Sequence, residues 1–122
     1  MYFALPNLHI RLCRGDTQNI ILTLYEGERL TATKYVLKDN DNVYFGVMEP
    51  NSYFEEALIR KKLSKEDLDE NNELVIKLHT TDTLTLLPGL YYYQIKLNRY
   101  NEELQDYEIH TLVKQTPFYI DP

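Results

Sequence analysis

Between Leu90 and Leu97 the side chains alternate without a break, with Tyr91, Tyr93, Ile95 and Leu97 on one side and Tyr92, Gln94 and Lys96 on the other. A period of two is the signature of an extended strand with one buried face, and no helix can satisfy it. The same period recurs at Ile20, Leu22 and Leu24, at Val43, Phe45 and Val47, and at Leu74, Ile76 and Leu78. Further strands are expected over Leu8–Cys13 and Ala57–Leu63. A last strand runs from Tyr107 to Ile120 with a break at Thr116-Pro117, and Asn98 to Asp106 is its hairpin loop. Between these runs lie polar or Pro/Gly turns such as Lys38-Asp39-Asn40-Asp41-Asn42 and the stop at Pro50. Only Ser64–Asp67 and Thr81–Leu84 read as helical, each about one turn long. About seven short strands spaced in this way give an all-β fold, an antiparallel β-sandwich with at most one-turn helices.

A length of 122 residues suits one domain over 1–122, and no repeat, linker or shift in composition marks a second. Hydrophobic residues make up 43% of the chain, but no apolar run approaches the ~20 residues that cross a bilayer. The beginning, MYFALPNLHIRL, lacks the basic and apolar regions of a secretory signal, so synthesis and folding in a cytoplasm are expected. Thirteen basic against nineteen acidic residues give a net charge of −6, which disfavours nucleic acid and anionic membranes as partners. The single Cys13 excludes an intramolecular disulfide and a thiolate zinc cluster, and its expected place is a buried position on an early strand.

Eleven tyrosines and no tryptophan set the aromatic composition apart, and most of the tyrosines stand among aliphatic and β-branched residues. In Leu87-Pro88-Gly89-Leu90-Tyr91-Tyr92-Tyr93 a tight turn delivers a tyrosine to the start of a strand. This is the spacing of a tyrosine corner in an immunoglobulin-like sandwich: the Tyr91 ring enters the core while its hydroxyl serves backbone of the preceding turn. Tyr93 stands where antibody domains carry a cysteine. On the outward faces Tyr25, Tyr44 and Tyr92 are candidate interface residues for docking or self-association; the alternative is that they pack under a loop.

Four features in order carry a family resemblance: Arg14-Gly15-Asp16-Thr17 ahead of a strand, Asn42 to Met48 (NVYFGVM), Leu84 to Tyr93 (LTLLPGLYYY), and Thr116-Pro117-Phe118-Tyr119-Ile120 at the close. Together they resemble the immunoglobulin-like N-terminal domain of phage baseplate upper proteins and related phage and prophage tail proteins. The resemblance spans Leu8 to Ile120. It implies a structural module of a tail or baseplate that works through protein–protein contacts, with other tail proteins or further copies of itself as partners. Its place would be the virion, or the bacterial cytoplasm when made from a prophage. Because baseplate proteins usually continue into stalk and receptor-binding parts, it implies an adaptor or connector rather than a receptor-binding role.

Other chemistry finds little support in the residues. Asp67-Leu68-Asp69-Glu70-Asn71-Asn72-Glu73 starts like a calcium loop, but its sixth position is Asn72 and its twelfth Leu78, so it reads as a solvated acidic turn. His9, His79 and His110 are far apart and lack ligand-spaced partners, which places them at surface or edge positions. Neither Ser52 nor Ser64 sits in a nucleophile elbow, and four single glycines make no phosphate loop. Only two carboxylates distant in sequence could still meet as a glycosidase pair. The chain is therefore expected to be non-enzymatic and free of cofactors and metals. The alternative function is a free-standing sandwich that binds a carbohydrate or a cell-surface protein. Arg14-Gly15-Asp16 has the form of an adhesion tripeptide, but it reads as the corner before a strand, with Gly15 giving the turn and Asp16 accepting the following amides.

Overall fold

In the computed structural model, which describes residues 1–122, the alternating segments form nine strands. They are β1 (Tyr2–Leu5), β2 (Ile10–Cys13), β3 (Gln18–Glu26), β4 (Thr33–Lys34), β5 (Asn42–Met48), β6 (Ile59–Leu63), β7 (Leu74–Leu78), β8 (Gly89–Asn101) and β9 (Asp106–Asp121). One short helix, α1 (Thr80–Thr83), precedes β8, and single 3-10 turns cover Phe54–Glu56 and Lys65–Asp67. No helix is long and apolar enough to cross a membrane.

Two sheets face each other in an immunoglobulin-like sandwich. In the first, β3 pairs with β1, β4 and β7; the second has the order β2-β9-β8-β5-β6. All pairs are antiparallel except β2 with β9, which is parallel. The antiparallel sandwich expected from the sequence is therefore present with one parallel edge pair, whose cause is local. The N-terminal stretch gives β1 to the first sheet, crosses at a cis Leu5-Pro6 bond, and lays β2 along the edge of the second.

Inward residues of both sheets make one core. Leu22, Leu24, Leu74, Ile76 and Leu78 meet Val43, Phe45, Tyr93, Ile95, Leu97 and Phe118, all at most 3% exposed. The Tyr93 ring lies 5.8 Å from Phe45 and 6.5 Å from Phe118. Its hydroxyl donates to the Leu8 carbonyl at 2.6 Å, and burial pushes its pKa up to about 12. The Tyr91 hydroxyl donates to the Leu87 carbonyl at 2.6 Å, four residues upstream, so the corner has the geometry its sequence implies.

Several boundaries differ from those read in the sequence. The turn at Phe54–Glu56 shortens the Ala57–Leu63 strand to Ile59–Leu63, and β1 and β4 are additional. The hairpin loop shrinks from Asn98–Asp106 to four residues because pairing continues to Asn101↔Asp106. No break occurs at Thr116-Pro117: β9 absorbs its irregularity as register shifts between Tyr93 and Lys96, which let Leu112 and Val113 both turn inward. Pro117 stands one residue before β2 begins to pair at Phe118, where a missing donor is tolerated. Cys13 is exposed, not buried, since it is in phase with Arg11 while Ile10 and Leu12 take the inward positions.

The Arg14-Gly15-Asp16 corner is held from across the molecule. Gly15 has φ +85, and its N–H donates at 2.8 Å to the hydroxyl of Thr83, a fully buried residue of α1. The Asp16 N–H closes the turn on the Cys13 carbonyl at 3.0 Å, so backbone and Thr83 do the work that the sequence assigns to the Asp16 carboxylate. In the same helix Asp82 accepts the His79 N–H at 2.7 Å and the Lys61 ammonium at 2.8 Å, tying the corner to β6. Burial alone would raise the Asp82 pKa, but these two partners outweigh it and leave it lowered.

A second tertiary lock sits on the outer face of the larger sheet. There the β5–β6 connection folds back, and Phe54 rests on Gly46: a Cβ at Gly46 would lie 2.9 Å from the Phe54 ring and 3.1 Å from Ala57. Two expectations follow. Thr83→Val leaves the Gly15 N–H unpaired and costs about 1–3 kcal/mol in urea unfolding, whereas Asp16→Glu stays within about 0.5 kcal/mol. Gly46→Val lifts Phe54 off the sheet, costs about 1–3 kcal/mol and opens residues 49–58 to limited proteolysis.

Candidate interaction surface

The three tyrosines proposed as an interface do not form one patch. Tyr25 lies on the outer face of the first sheet, where it stacks on Phe3 with ring centroids 5.3 Å apart, and Arg29 covers Phe3 at 5.3 Å. Tyr44 and Tyr92 lie on the outer face of the second sheet, the far side of the sandwich. All three are half-buried. Period two decides inward against outward along each strand, but assigning a strand to a sheet requires the topology.

Around Tyr44 the second sheet carries a surface that the sequence reading did not assemble. Tyr44 lies between Lys62 of β6 and Lys96 of β8 in the register, and the Lys62 ammonium is 6.0 Å from its ring centre. Lys96 lies 5.0 Å over Phe54. Two hollows of about 340 and 160 Å³ flank this pair of rings. Arg60, Lys62 and Ala57 line the first, and Lys96, Asn98 and Ile109 the second, with Glu55 the carboxylate at both rims. Across the five strands the outward charged residues are Arg11, Arg60, Lys62, Lys96 and Lys114 against one carboxylate, Asp121. Asp121 is paired with Arg11 at 2.8 Å, which holds its pKa below the usual carboxylate range. In a chain with more acids than bases this is a marked segregation of charge. Its signal was present in the sequence, in cations standing at outward positions between core residues.

Beyond the sheet the β8–β9 hairpin continues past Asn42↔Asn98, the last pair that β5 shares with it. Its outer side carries Tyr107 and Ile109, 50% and 70% exposed, and Tyr100 packs edge-on against Tyr107 at 5.1 Å. Beside the hairpin lies the largest hollow, about 450 Å³, between Lys38–Asp41 and Arg99–Glu103. It is polar, but its buried carboxylate is already committed: Asp41 accepts the Tyr35 hydroxyl at 2.5 Å and the N–H groups of Lys38 and Tyr100 at 3.0 and 3.3 Å. Burial, and then Asp41, raise the Tyr35 pKa. Arg99 reaches Glu108 at 3.4 Å, while its buried Nε has no partner.

His9 and His79 are exposed, and half-buried His110 contacts Glu108 at 3.1 Å and the Tyr2 ring at 4.6 Å. No group of three or more His, Cys, Asp or Glu side chains is arranged to hold a metal ion. In the acidic turn the Asp69 carboxylate accepts the N–H groups of Asn71 and Glu73, and Asp67 accepts that of Ser64, so these acids organise their own backbone.

No family model matches the chain, and no curated protein matches it either. Among solved structures it is similar to AggA, the major subunit of aggregative adherence fimbriae type I from Escherichia coli. Identity is 9% and the TM-score 0.36, over 98% of this chain and 93% of that one.

Proposed function

We propose that this domain is a non-enzymatic assembly module of a phage or prophage tail or baseplate, acting through protein–protein contacts with tail components or further copies of itself. The observation that carries the reading is the outer face of the five-stranded sheet, where Tyr44, Phe54 and Ile109 lie amid cations on an otherwise acidic molecule. Aromatic residues and arginine at the centre of a patch are what protein interfaces concentrate. The family resemblance, from the Arg14-Gly15-Asp16-Thr17 corner to the Phe118–Ile120 close, supplies the assembly. Carbohydrate binding is the second reading, since the same aromatic and cationic groups could present a platform to an acidic sugar. The polar cleft adds little to it, because three of the roughly four acceptor sites of the Asp41 carboxylate are already taken by Tyr35, Lys38 and Tyr100.

The test is the composition of particles. In a lysogen carrying the gene, induced virions are expected to contain the chain by mass spectrometry of purified tails, and deletion of the gene is expected to leave capsids without complete tails. Normal, infectious particles that lack the chain would defeat the reading, and saturable binding on a glycan array would favour the second.

A further inference from the structure

The β8–β9 hairpin ends in a rigid knob whose chemistry is the complement of the hollows beside Phe54. Leu104 is 71% exposed at its tip, next to Glu102 and Glu103, with Asp106 closing the turn. The tip is pre-organised: the Asn101 side-chain carbonyl accepts the N–H groups of Glu103 and Leu104 at 3.0 and 3.2 Å, and Gln105 adopts φ 52. Ordering a loop before contact removes a cost that binding would otherwise bear. Three residue pairs, from Arg99↔Glu108 to Asn101↔Asp106, carry the knob about 10 Å past the end of β5.

The hollows offer what such a knob lacks. Their walls are the Tyr44 and Phe54 rings, and Arg60, Lys62 and Lys96 stand at their margins against the single carboxylate Glu55. An exposed leucine flanked by carboxylates matches an aromatic pocket flanked by cations in both apolar character and charge. The two halves cannot meet within one molecule. Gly46, under Phe54, is level with Gln94, seven steps of extended strand or about 23 Å from Asn101, and the second hollow, beside Asn98 and Ile109, lies about 10 Å below Asn101 on the same sheet, which carries the tip away from both.

We propose that the hairpin tip of one molecule, through Leu104 and its flanking glutamates, docks in the Tyr44–Phe54 hollow of a second copy. This rests on the reading of that sheet face as a contact surface and names its occupant. The contact joins two different patches, so repetition builds a ring or a filament unless two molecules engage reciprocally.

Sedimentation velocity of the full chain, run up to millimolar concentration at low and high salt, reads the contact. Wild type is expected to associate with rising concentration, and to do so less at high salt, where surface charges are screened. Leu104→Asp, on an exposed turn, and the pair Lys62→Glu with Lys96→Glu are each expected to weaken association by about tenfold or more while retaining the melting temperature. Mixing the knob variant with the hollow variant recreates one intact contact, and should give a one-to-one complex with nothing larger. A wild type that stays monomeric throughout overturns the proposal, as does association that Leu104→Asp leaves unchanged. Neither result alters the composition of virions, so failure here is distinct from failure of the assembly reading.

Discussion

A single hydroxyl on a single carbonyl, Tyr91 to Leu87 at 2.6 Å, sets the phase of the central strand. Strand β8 pairs with β5 on one side and β9 on the other, so the position of its first residues decides which side chains of three strands face the core. A slip of one residue would send Tyr91, Tyr93, Ile95 and Leu97 into water and bring Gln94 and Lys96 inside. The corner prevents that slip because the Tyr91 ring is buried while its donor is satisfied within the turn that starts the strand. Tyr93 extends the same logic across the sandwich: its hydroxyl holds Leu8, at the crossing from the first sheet to the second.

Once the phase of β8 is fixed, the outer face follows. Lys96 points outward because Ile95 and Leu97 point inward, and Arg60 and Lys62 do so because Ile59 and Leu63 are core. On β6, the edge of the sheet, these cations also discourage another strand from adding on. Gly46 then makes the face more than a charged surface. With no Cβ there, Phe54 descends onto the sheet beside Tyr44, and Arg60 pins the connection from below by donating to the Glu55 and Ala57 carbonyls at 2.6 and 3.0 Å. The result is a fixed aromatic ridge with a hollow on each side.

The strands and the corner were legible because each depends on neighbours in sequence: Leu22 and Leu24 declare β3, and Gly89, Tyr91 and Tyr93 declare the start of β8. What could not be read depends on neighbours in space. Tyr25 looks like Tyr44 along the chain, yet they end on opposite sheets. Cys13 has a hydrophobic neighbour in Leu12, but the alternation of β2 puts it outside. Asn98 to Asp106 is polar enough to read as loop, yet Asn98 to Asn101 pair with Asp106 to Ile109 and prolong the hairpin, because the core strands behind them hold the register. The role of Gly15 was visible in its type, whereas its partner Thr83 lies 68 residues away and carries no local mark of the connection.

The net charge of −6 and the cationic face act over different distances. At physiological ionic strength the screening length is about 8 Å, so acids scattered over the loops and far edges oppose the approach of two molecules only weakly where they stay farther apart than that. At contact the local groups dominate. In the proposed contact a tip bearing Glu102 and Glu103 would meet Lys62 and Lys96, while a tip turned toward the acidic stretch Glu66 to Glu73 would meet carboxylates. Segregating the two signs therefore favours orientations that bring unlike charges together over those that bring carboxylates together, and so restricts how the exposed Leu104, Tyr107 and Ile109 can be covered by another molecule.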